Sequence, residues 1–382
     1  MKKRVEGTKR QYQHLIAVLI ALGGAAYAIV ADARNTSEFD RIWSYATLYD
    51  DEANPTVQKF ALSGRLQFES AWFDAEQGEF SDDFTWRRFR FGFKSDVFHD
   101  WVLHLEGDFD LNNSLGNMYE RLTDAYIGWS PKKDLDFKFL KQSVGFTLDG
   151  ATSSKNLLTM QRNDLTNNLW FTGEYFTGVG ARGKVRDAWD YHLGIYSNED
   201  DNEISGFETG LFSLISLGRN IDNGPDLESG KIRVDYVYNQ QDVSAGTRPF
   251  SHVLSLVSKW EAGDWGLWTD LSGGKGYGEQ SNVWGWVVMP FYNFNPRYQL
   301  VFRFTFVTSK AENGVRLPRY EGMVVDGRGN EYTEAYVGLN VYFYGHKLKW
   351  QTGLEFGNME DDANDGGDYR GVGLNTGIRI YW

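Results

Sequence analysis

From about residue 60 to the end, the chain is a series of segments, each roughly ten residues long, in which apolar and polar side chains alternate. In one clear case the apolar set is Leu62, Gly64, Leu66 and Phe68, and the polar set between them is Ser63, Arg65, Gln67 and Glu69. An alternation with a period of two is typical of β-strands, because successive side chains of a strand point to opposite faces. The pattern therefore predicts an all-β chain.

Sixteen of these segments are predicted to be strands. They lie near residues 60–73, 84–96, 101–110, 120–130, 134–141, 170–183, 188–197, 207–220, 230–238, 250–260, 264–272, 282–293, 298–309, 332–344, 346–357 and 369–382. Pro290 falls inside one of them and cannot donate a ladder hydrogen bond. We expect a bulge at this position, or a strand that ends before it.

The connections between the predicted strands are short and long in turn. The short ones include 97–100, 131–133, 184–187, 261–263 and 345, and the long ones are 74–83, 111–119, 142–169, 239–249, 310–331 and 358–368. An up-and-down transmembrane barrel has short periplasmic turns and long extracellular loops. A soluble β-sandwich has no reason to keep this alternation.

The two faces of the strands also differ in polarity. Sixteen strands enclose a lumen too wide for side chains to fill, so an inward apolar face would meet water. The apolar, aromatic face is therefore expected to contact lipid, and the charged face to line an aqueous pore. We predict a sixteen-stranded antiparallel up-and-down transmembrane β-barrel, closed so that every backbone group is paired.

The N-terminus predicts export. Five basic residues within the first ten precede an apolar run from Leu15 to Ala26, and Ala26-Tyr27-Ala28 is a small-x-small cleavage site, as in a secretory signal peptide. Removing residues 1–28 leaves 34 basic and 51 acidic residues and changes the formal net charge from −13 to −17. We expect a signal peptide over 1–28, a short periplasmic segment over 29–58 and the barrel over 59–382. The chain has no cysteine.

Several blocks of the sequence resemble a known family. They run from Arg87 to Lys94, Trp101 to Phe109, Thr123 to Gly128, Thr152 to Lys155 and Met160 to Arg162. Together they resemble the phosphate-selective porin O and P family, from about residue 60 to the end. The resemblance implies a homotrimeric porin of the outer membrane of a Gram-negative cell, whose third loop folds into the lumen. It also implies basic residues that bind phosphate or its polymers.

Two groups of residues are candidates for controlling what passes. The segment 142–169 would be the third extracellular loop, with a helix starting at Thr152 or Ser153, and it would present Lys155 and Arg162 to solutes; an ordinary surface loop is the alternative. On the charged strand face we predict pore-lining, anion-binding residues: Arg65, Arg88, Arg90, Lys94, Arg233, Arg303, Lys347, Lys349 and Arg379. Rings of Arg and Lys favour anions in pores. The same face carries Glu69, Glu106, Asp108, Asp110, Asp235 and Glu355, so cross-strand ion pairs are the alternative.

The sequence therefore predicts passive diffusion of small hydrophilic solutes, with anions such as phosphate or polyphosphate preferred. No cofactor, metal or nucleic acid is expected, and the expected partners are membrane lipid, lipopolysaccharide and two further copies of the chain. A barrel enzyme, such as a lipase or protease, would need a Ser/His or Asp/His set; Ser63 and His104 are on polar faces, but nothing in the sequence brings them together. A structural or adhesive barrel with an occluded lumen is the other alternative.

Overall fold

The structure, a computed structural model, describes residues 36–186, 188–199, 201–221 and 227–382, so the predicted signal peptide lies outside the described residues. The chain divides into two compact units, Met1–Tyr45 and Ala46–Trp382. In the first unit, helix α1 spans Thr36–Ser44, and the Phe39 and Trp43 rings, one turn apart, meet edge to face at 6.1 Å. The second unit is a β-barrel.

Nineteen strands and one further helix are formed within the described part of the second unit. The helix, α2, spans Asp164–Leu169. The strands are β1 (Thr47–Asp50), β2 (Val57–Ala75), β3 (Gly78–Val97), β4 (Trp101–Phe109), β5 (Tyr119–Lys132), β6 (Leu135–Ser143), β7 (Tyr175–Val185), β8 (Trp189–Ser197), β9 (Leu211–Asn220), β10 (Ser229–Asn239), β11 (Phe250–Ala262), β12 (Trp265–Gly276), β13 (Val283–Asn295), β14 (Tyr298–Thr308), β15 (Val315–Arg316), β16 (Arg328–Gly329), β17 (Glu331–Tyr344), β18 (Leu348–Glu360) and β19 (Tyr369–Tyr381).

Sixteen of these strands form one closed antiparallel sheet. β2 to β14 and β17 to β19 each pair with the next, and residues 371–381 of β19 pair with residues 65–75 of β2, for example Ile378 with Phe68. β1 adds a short pairing to the start of β2, and β15 and β16 form a separate two-stranded ribbon. The prediction of a sixteen-stranded antiparallel barrel is confirmed.

Short and long connections alternate as predicted, with one exception. The segment 74–83 is not a loop, because β2 and β3 stay paired up to a two-residue turn at Glu76 and Gln77. The inner face of this tall hairpin is covered, since Phe73 and Phe80 pack against Tyr320 from another connection at ring distances of 5.4 and 5.7 Å. The contact with Tyr320, which is distant in sequence, stabilises the paired conformation of residues 74–83.

Three local predictions were wrong. β13 continues through Pro290, and the register to β14 is the same on either side of it, so there is neither a bulge nor an early end. At this point the ladder positions of Met289 and Pro290 opposite β14 are missing, and the register to β14 shifts only farther on, between Asn293 and Asn295. No helix starts at Thr152 or Ser153; the helix is α2, whose N-cap Asn163 accepts a hydrogen bond from the Thr166 N–H at 2.8 Å. β7 begins at Tyr175, because the residues before it belong to the long connection.

The outer surface of the barrel is apolar. Alternate residues of the strands are exposed there, for example Leu254 and Leu256 at 57% and 44% of their full area. Near the short turns, Trp101, Trp129 and Phe137 stack in a row on neighbouring strands, as in the aromatic girdle of a membrane barrel. Neither helix of the described residues is long and apolar enough to cross a membrane.

Candidate functional site

The inner face of the barrel carries polar and charged side chains, most of them buried. On β2, Arg65, Gln67 and Glu69 are all at most 5% exposed, whereas the residues between them face outward. A charged group removed from bulk water needs a partner, because an isolated buried charge is very costly. The partners in this lumen come from neighbouring strands and from one long connection.

That connection runs from 144 to 174, between β6 and β7, and we call it the inward segment. Its backbone contacts inner side chains all round the barrel. The Thr147 N–H donates to Asp235 of β10 at 3.0 Å, the Leu148 N–H donates to Asp270 of β12 at 2.7 Å, and the Leu158 carbonyl accepts from Asn340 of β17 at 2.8 Å. A segment bonded to strands on so many sides lies within the lumen.

Five of the predicted basic residues anchor this segment. Each donates to it: Arg65 to Ser154 Oγ at 2.8 Å, Arg233 to the Thr147 carbonyl at 2.6 Å, Arg303 to the Gln161 carbonyl at 2.8 Å, Lys349 to the Leu157 carbonyl at 2.6 Å and Arg379 to the carbonyls of Ser154 and Met160. The four arginines also pair with inner carboxylates, Arg303 with Glu334 at 2.7 Å among them. The charges of these arginines are therefore largely neutralised by carboxylates of the protein itself.

A second connection, 309–330 between β14 and β17, also turns into the barrel. Tyr320 is buried and donates to Glu69 of β2 at 2.5 Å. Glu321 is 1% exposed, and its Oε1 accepts a hydrogen bond from the Tyr332 hydroxyl at 2.8 Å. Burial and the negative charges of Glu355 and Glu334 raise the pKa of the Glu321 carboxyl well above its usual range.

Between the inward segment and the wall of β3 to β5 lies a cavity of about 430 Å³. It reaches into the long connections, because residues of the β4–β5, β10–β11 and β14–β17 connections line it. Seven arginines face it: Arg87, Arg88, Arg90, Arg121, Arg162, Arg248 and Arg319. Four carboxylates face it as well: Asp108, Asp110, Glu120 and Glu174. We call this space the arginine cavity.

Part of this charge is paired. Arg90 contacts Asp108 at 3.1 Å and Glu174 at 3.4 Å, and Arg162 reaches Glu174 at 3.8 Å. Burial by itself raises the pKa of the Glu174 carboxyl, but the positive charges of Arg90 and Arg162 outweigh it and hold that pKa well below its usual range. Glu174 therefore stays ionised and neutralises much of the charge at the inner end of the cavity.

Other arginines of the cavity are not neutralised in this way. Within the described part of the chain, Arg88, Arg248 and Arg319 form no ion pair; Arg88 donates to Gln67 at 3.0 Å, and the Arg319 guanidinium lies 5.6 Å from the centre of the Tyr320 ring. The buried Nε of Arg248 has no hydrogen-bond partner among the described residues. These three guanidinium groups are the arginines of the cavity whose charge no described carboxylate pairs.

The structure thus separates the predicted basic residues into groups. Arg88, Arg90 and Arg162 line the arginine cavity, and the five anchors described above hold the inward segment. Lys155 is half-buried on that segment, with its Nζ 5.0 Å from the centre of the Tyr381 ring. Lys94 is exposed on β3, and Lys347 lies in the turn between β17 and β18, so neither belongs to the cavity.

Four cavity arginines were not predicted: Arg87, Arg121, Arg248 and Arg319. Arg87 and Arg121 lie on strands, and the family-like block from Arg87 to Lys94 already contained the first of them. Arg248 and Arg319 lie in long connections, which have no periodicity from which their position could be inferred.

Ser63 and His104 are in contact in the structure, which the sequence analysis did not predict. The Ser63 hydroxyl and His104 Nε2 are 2.9 Å apart across neighbouring inner positions. Among the described residues no carboxylate hydrogen bonds to the His104 ring, so the third group that orients the base of a serine hydrolase is missing from this contact. The described residues also contain no group of three or more His, Asp or Glu side chains placed to hold a metal ion.

Comparison with known proteins agrees with this architecture. The anion-selective porin from Comamonas acidovorans is 13% identical, with 85% of this chain and 99% of that one covered at a TM-score of 0.58. OmpF of Salmonella typhi in complex with daunomycin is 13% identical, with 88% of this chain and 100% of that one covered at a TM-score of 0.61. The trimer form of OmpT from Vibrio cholerae is 12% identical, with 85% of this chain and 99% of that one covered at a TM-score of 0.54. At these identities they establish the fold alone. None of the curated proteins matches the chain.

The family resemblance is confirmed by a family model. Residues 60–212, which include most of β2, all of β3 to β8, the inward segment and most of the arginine cavity, match the model described as phosphate-selective porin O and P. Together with the closed sixteen-stranded barrel, this match identifies an outer-membrane channel for solute diffusion. Over these residues the chain is similar to the phosphate-selective porin O and P family.

Proposed function

We propose that this porin lets small hydrophilic solutes diffuse passively through its lumen and prefers anions. The observation that carries the anion preference is the excess of arginine over carboxylate in the arginine cavity, seven against four. Cations held in a narrow, low-dielectric passage attract anions and raise their local concentration. The anion selectivity named for the Comamonas acidovorans porin and the family description support the same preference.

In this proposal the inward segment narrows the pore. Some of the predicted basic residues hold this segment in place, and others face the solute. The anchors Arg65, Arg233, Arg303, Lys349 and Arg379 hold the segment in place and contribute little free charge. Arg88, Arg248 and Arg319 present unpaired charge to the solute, and Lys155 and Arg162, the latter paired with Glu174, lie beside its path on the inward segment. Phosphate and polyphosphate are the anions that the family description suggests.

The proposal extends to the assembly and its surroundings. A homotrimer in contact with lipid and lipopolysaccharide, exported with a cleaved signal peptide, fits the apolar outer surface and the trimeric form known for the Vibrio cholerae relative in fold. Chemical crosslinking of the purified protein in detergent should give a ladder that ends at three chains.

The selectivity is tested by the reversal potential of single channels in planar bilayers under a KCl gradient. The wild type should show discrete conductance steps and a reversal potential of the same sign as the equilibrium potential of chloride. The triple variant Arg88→Gln, Arg248→Gln, Arg319→Gln should move that potential toward the potassium side, whereas Lys310→Gln, on an exposed part of a long connection, should leave it unchanged. A wild-type potential on the potassium side would contradict the anion preference, and the absence of steps would contradict diffusion.

Proteolysis or lipid hydrolysis by such a barrel is not favoured, because the family and the fold are those of channels.

A further inference from the structure

The charges of the arginine cavity that remain unpaired carry both signs. Arg88, Arg248 and Arg319 are the positive ones. On the negative side, Glu120 is exposed and makes no hydrogen bond or ion pair among the described residues, and Asp110 accepts hydrogen bonds only from Asn112 and Asn113. A site built for simple anions gains nothing from free carboxylates in its wall, because like charges repel.

Apart from Arg88 on β3, the unpaired charges of the two signs come from different sides of the barrel. Asp110 and Glu120 belong to the β4–β5 hairpin, the third and fourth strands of the sixteen. Arg248 comes from the β10–β11 connection and Arg319 from the β14–β17 connection, and each of these hairpins lies six strands away from β4–β5 around the sheet, in opposite directions. The cavity therefore has two unpaired carboxylates on the wall formed by the β4–β5 hairpin and two unpaired arginines on the opposite wall, supplied by long connections.

Such a division of charge creates an electric field across the cavity. Low-dielectric walls concentrate this field, and a molecule with two opposite charges gains energy at both ends when it aligns with it. A guanidinium binds a carboxylate through a planar fork of N–H groups, and the Arg248 side chain lines the cavity without an ion pair among the described residues. A cavity of about 430 Å³ also lies within the range of small-molecule sites.

We propose that the arginine cavity binds small zwitterions, solutes with an ammonium group and a carboxylate group of the size of an amino acid or dipeptide. The carboxylate lies toward Arg248 and Arg319, and the ammonium group lies toward Glu120 and Asp110. This inference rests on the proposed solute diffusion and specifies the class of solute that the cavity holds in passage.

The test compares three probes of similar size in planar bilayers containing the full-length porin. Glycylglycine has both charges, N-acetylglycine lacks the ammonium group, and glycylglycinamide lacks the carboxylate. The readout is the probe concentration that halves the single-channel ion current. The wild type should be blocked by glycylglycine at a concentration about fivefold lower than by either other probe, the factor that one partly exposed ion pair is worth.

Variants assign the effect to the two walls. Glu120→Gln should abolish the preference for glycylglycine over N-acetylglycine, and it should increase the anion selectivity, because it removes a negative charge from the cavity. Asp110→Asn should act in the same direction, but Asp110 also shapes its loop, so Glu120→Gln is the primary variant. Arg248→Gln should weaken the block by glycylglycine and by N-acetylglycine alike, and Lys310→Gln is the control.

Equal half-blocking concentrations for glycylglycine and N-acetylglycine in the wild type would overturn this proposal, as would a preference that survives Glu120→Gln. Either result would leave the conductance and its reversal potential intact. Conversely, a channel without conductance steps or with cation selectivity would contradict the proposed function itself, so the two failures are distinguishable.

Discussion

Arginine side chains occur in two different environments on the inner face of this barrel. Arg303 is 1% exposed and holds both Glu334 and the inward segment, whereas Arg88 lines the cavity and makes no ion pair among the described residues. A buried guanidinium is stable only when most of its donors are used. The fraction of donors that are used therefore separates an anchoring arginine from one that can attract a solute.

Arg303→Met should destabilise the protein by about 3–5 kcal/mol, because it leaves the Glu334 carboxylate buried without its cation. The matched control is Arg370→Met, whose partner Glu76 lies 3.9 Å away in an exposed pair, and which should cost less than about 1 kcal/mol. Urea unfolding in detergent micelles, followed by circular dichroism, measures both. Equal midpoints for the two variants would contradict the anchoring role of Arg303.

The charge of Lys155 should make the selectivity depend on pH. Burial and the neighbouring Arg65 guanidinium lower the pKa of Lys155 to about 8. A lysine loses its charge as the pH rises through its pKa, so anion selectivity should fall between pH 7 and pH 9. Reversal potentials at the two pH values measure this change.

Lys155→Arg provides the control for this pH dependence. An arginine stays charged at pH 9, so the variant should keep its selectivity across the same interval. A variant that loses selectivity as the wild type does would assign the titration to another group.

At the scale of elements, the lumen is occupied by two connections rather than by strands. The inward segment is bound through its carbonyl groups to long basic and amide side chains of the opposite wall, and the β14–β17 connection is bound through Tyr320 and Glu321. Carbonyl groups buried in a lumen need donors. The anchors supply them, so the position of the inward segment depends on side chains far away in sequence.

Removal of the donors to Leu157 should loosen the inward segment. Lys349 and Gln351 donate to the Leu157 carbonyl at 2.6 and 3.2 Å. The double variant Lys349→Met, Gln351→Leu leaves this buried carbonyl without those two donors, so single channels should show larger and noisier conductance steps. Lys133→Met, in an exposed short turn, is the control. Steps of wild-type size and noise in the double variant would show that these donors do not position the segment.

Glu321 should make the stability of the barrel fall as the pH rises. Its pKa in the folded protein lies above the ordinary value of 4.5, so the folded state binds the proton more tightly than the unfolded state. The stabilising effect is complete below about pH 4.5 and is lost progressively as the pH rises toward the folded pKa. The midpoint of thermal unfolding should therefore be lower at pH 8 than at pH 5.

In Glu321→Gln this decrease should be smaller, because glutamine does not titrate and still accepts the hydrogen bond from Tyr332. Glu312→Gln, on an exposed part of the same connection, should behave like the wild type. If Glu321→Gln shows the full decrease, the buried carboxyl is not its source.

At the scale of the whole molecule, stability depends on closure of the sheet. β19 pairs with β2, and beyond it the backbone N–H of the terminal Trp382 donates to the Gly64 carbonyl at 3.3 Å. The Trp382 ring covers Gly64, where an added Cβ would lie 2.6 Å from that ring and 2.4 Å from the Arg90 carbonyl. In a membrane an unclosed sheet would leave a row of unpaired backbone groups in lipid.

Gly64→Val should therefore impair closure, since the backbone of β2 or β3 must move to accept the new side chain. Gly116→Val introduces the same side chain where nothing lies within 4 Å of the added Cβ, and it should close normally. The shift in gel mobility between unheated and boiled samples measures the closed fraction after refolding into detergent. Equal closed fractions for the two variants would contradict the tight packing at this seam.

The sequence alone determined the barrel. The number of strands and the two faces of each strand follow from a local period of two, which each strand carries within itself. The up-and-down topology follows from the alternating lengths of the connections, and the choice of the lipid-facing side follows from the width of a sixteen-stranded lumen. The residues of the family-like blocks, such as Arg88 and Arg90, could be placed on the inner face for the same reason.

The tertiary structure alone decided what the inner face does. That Arg379 anchors a loop, that Arg248 and Arg319 reach the cavity, that residues 74–83 continue a hairpin, and that Ser63 meets His104 all depend on contacts between residues far apart in the chain. Connections have no periodic pattern, and their paths are set by the donors and rings of opposite walls. The alternation of side chains therefore specifies where the pore is, and the folded connections specify which of its charges remain free.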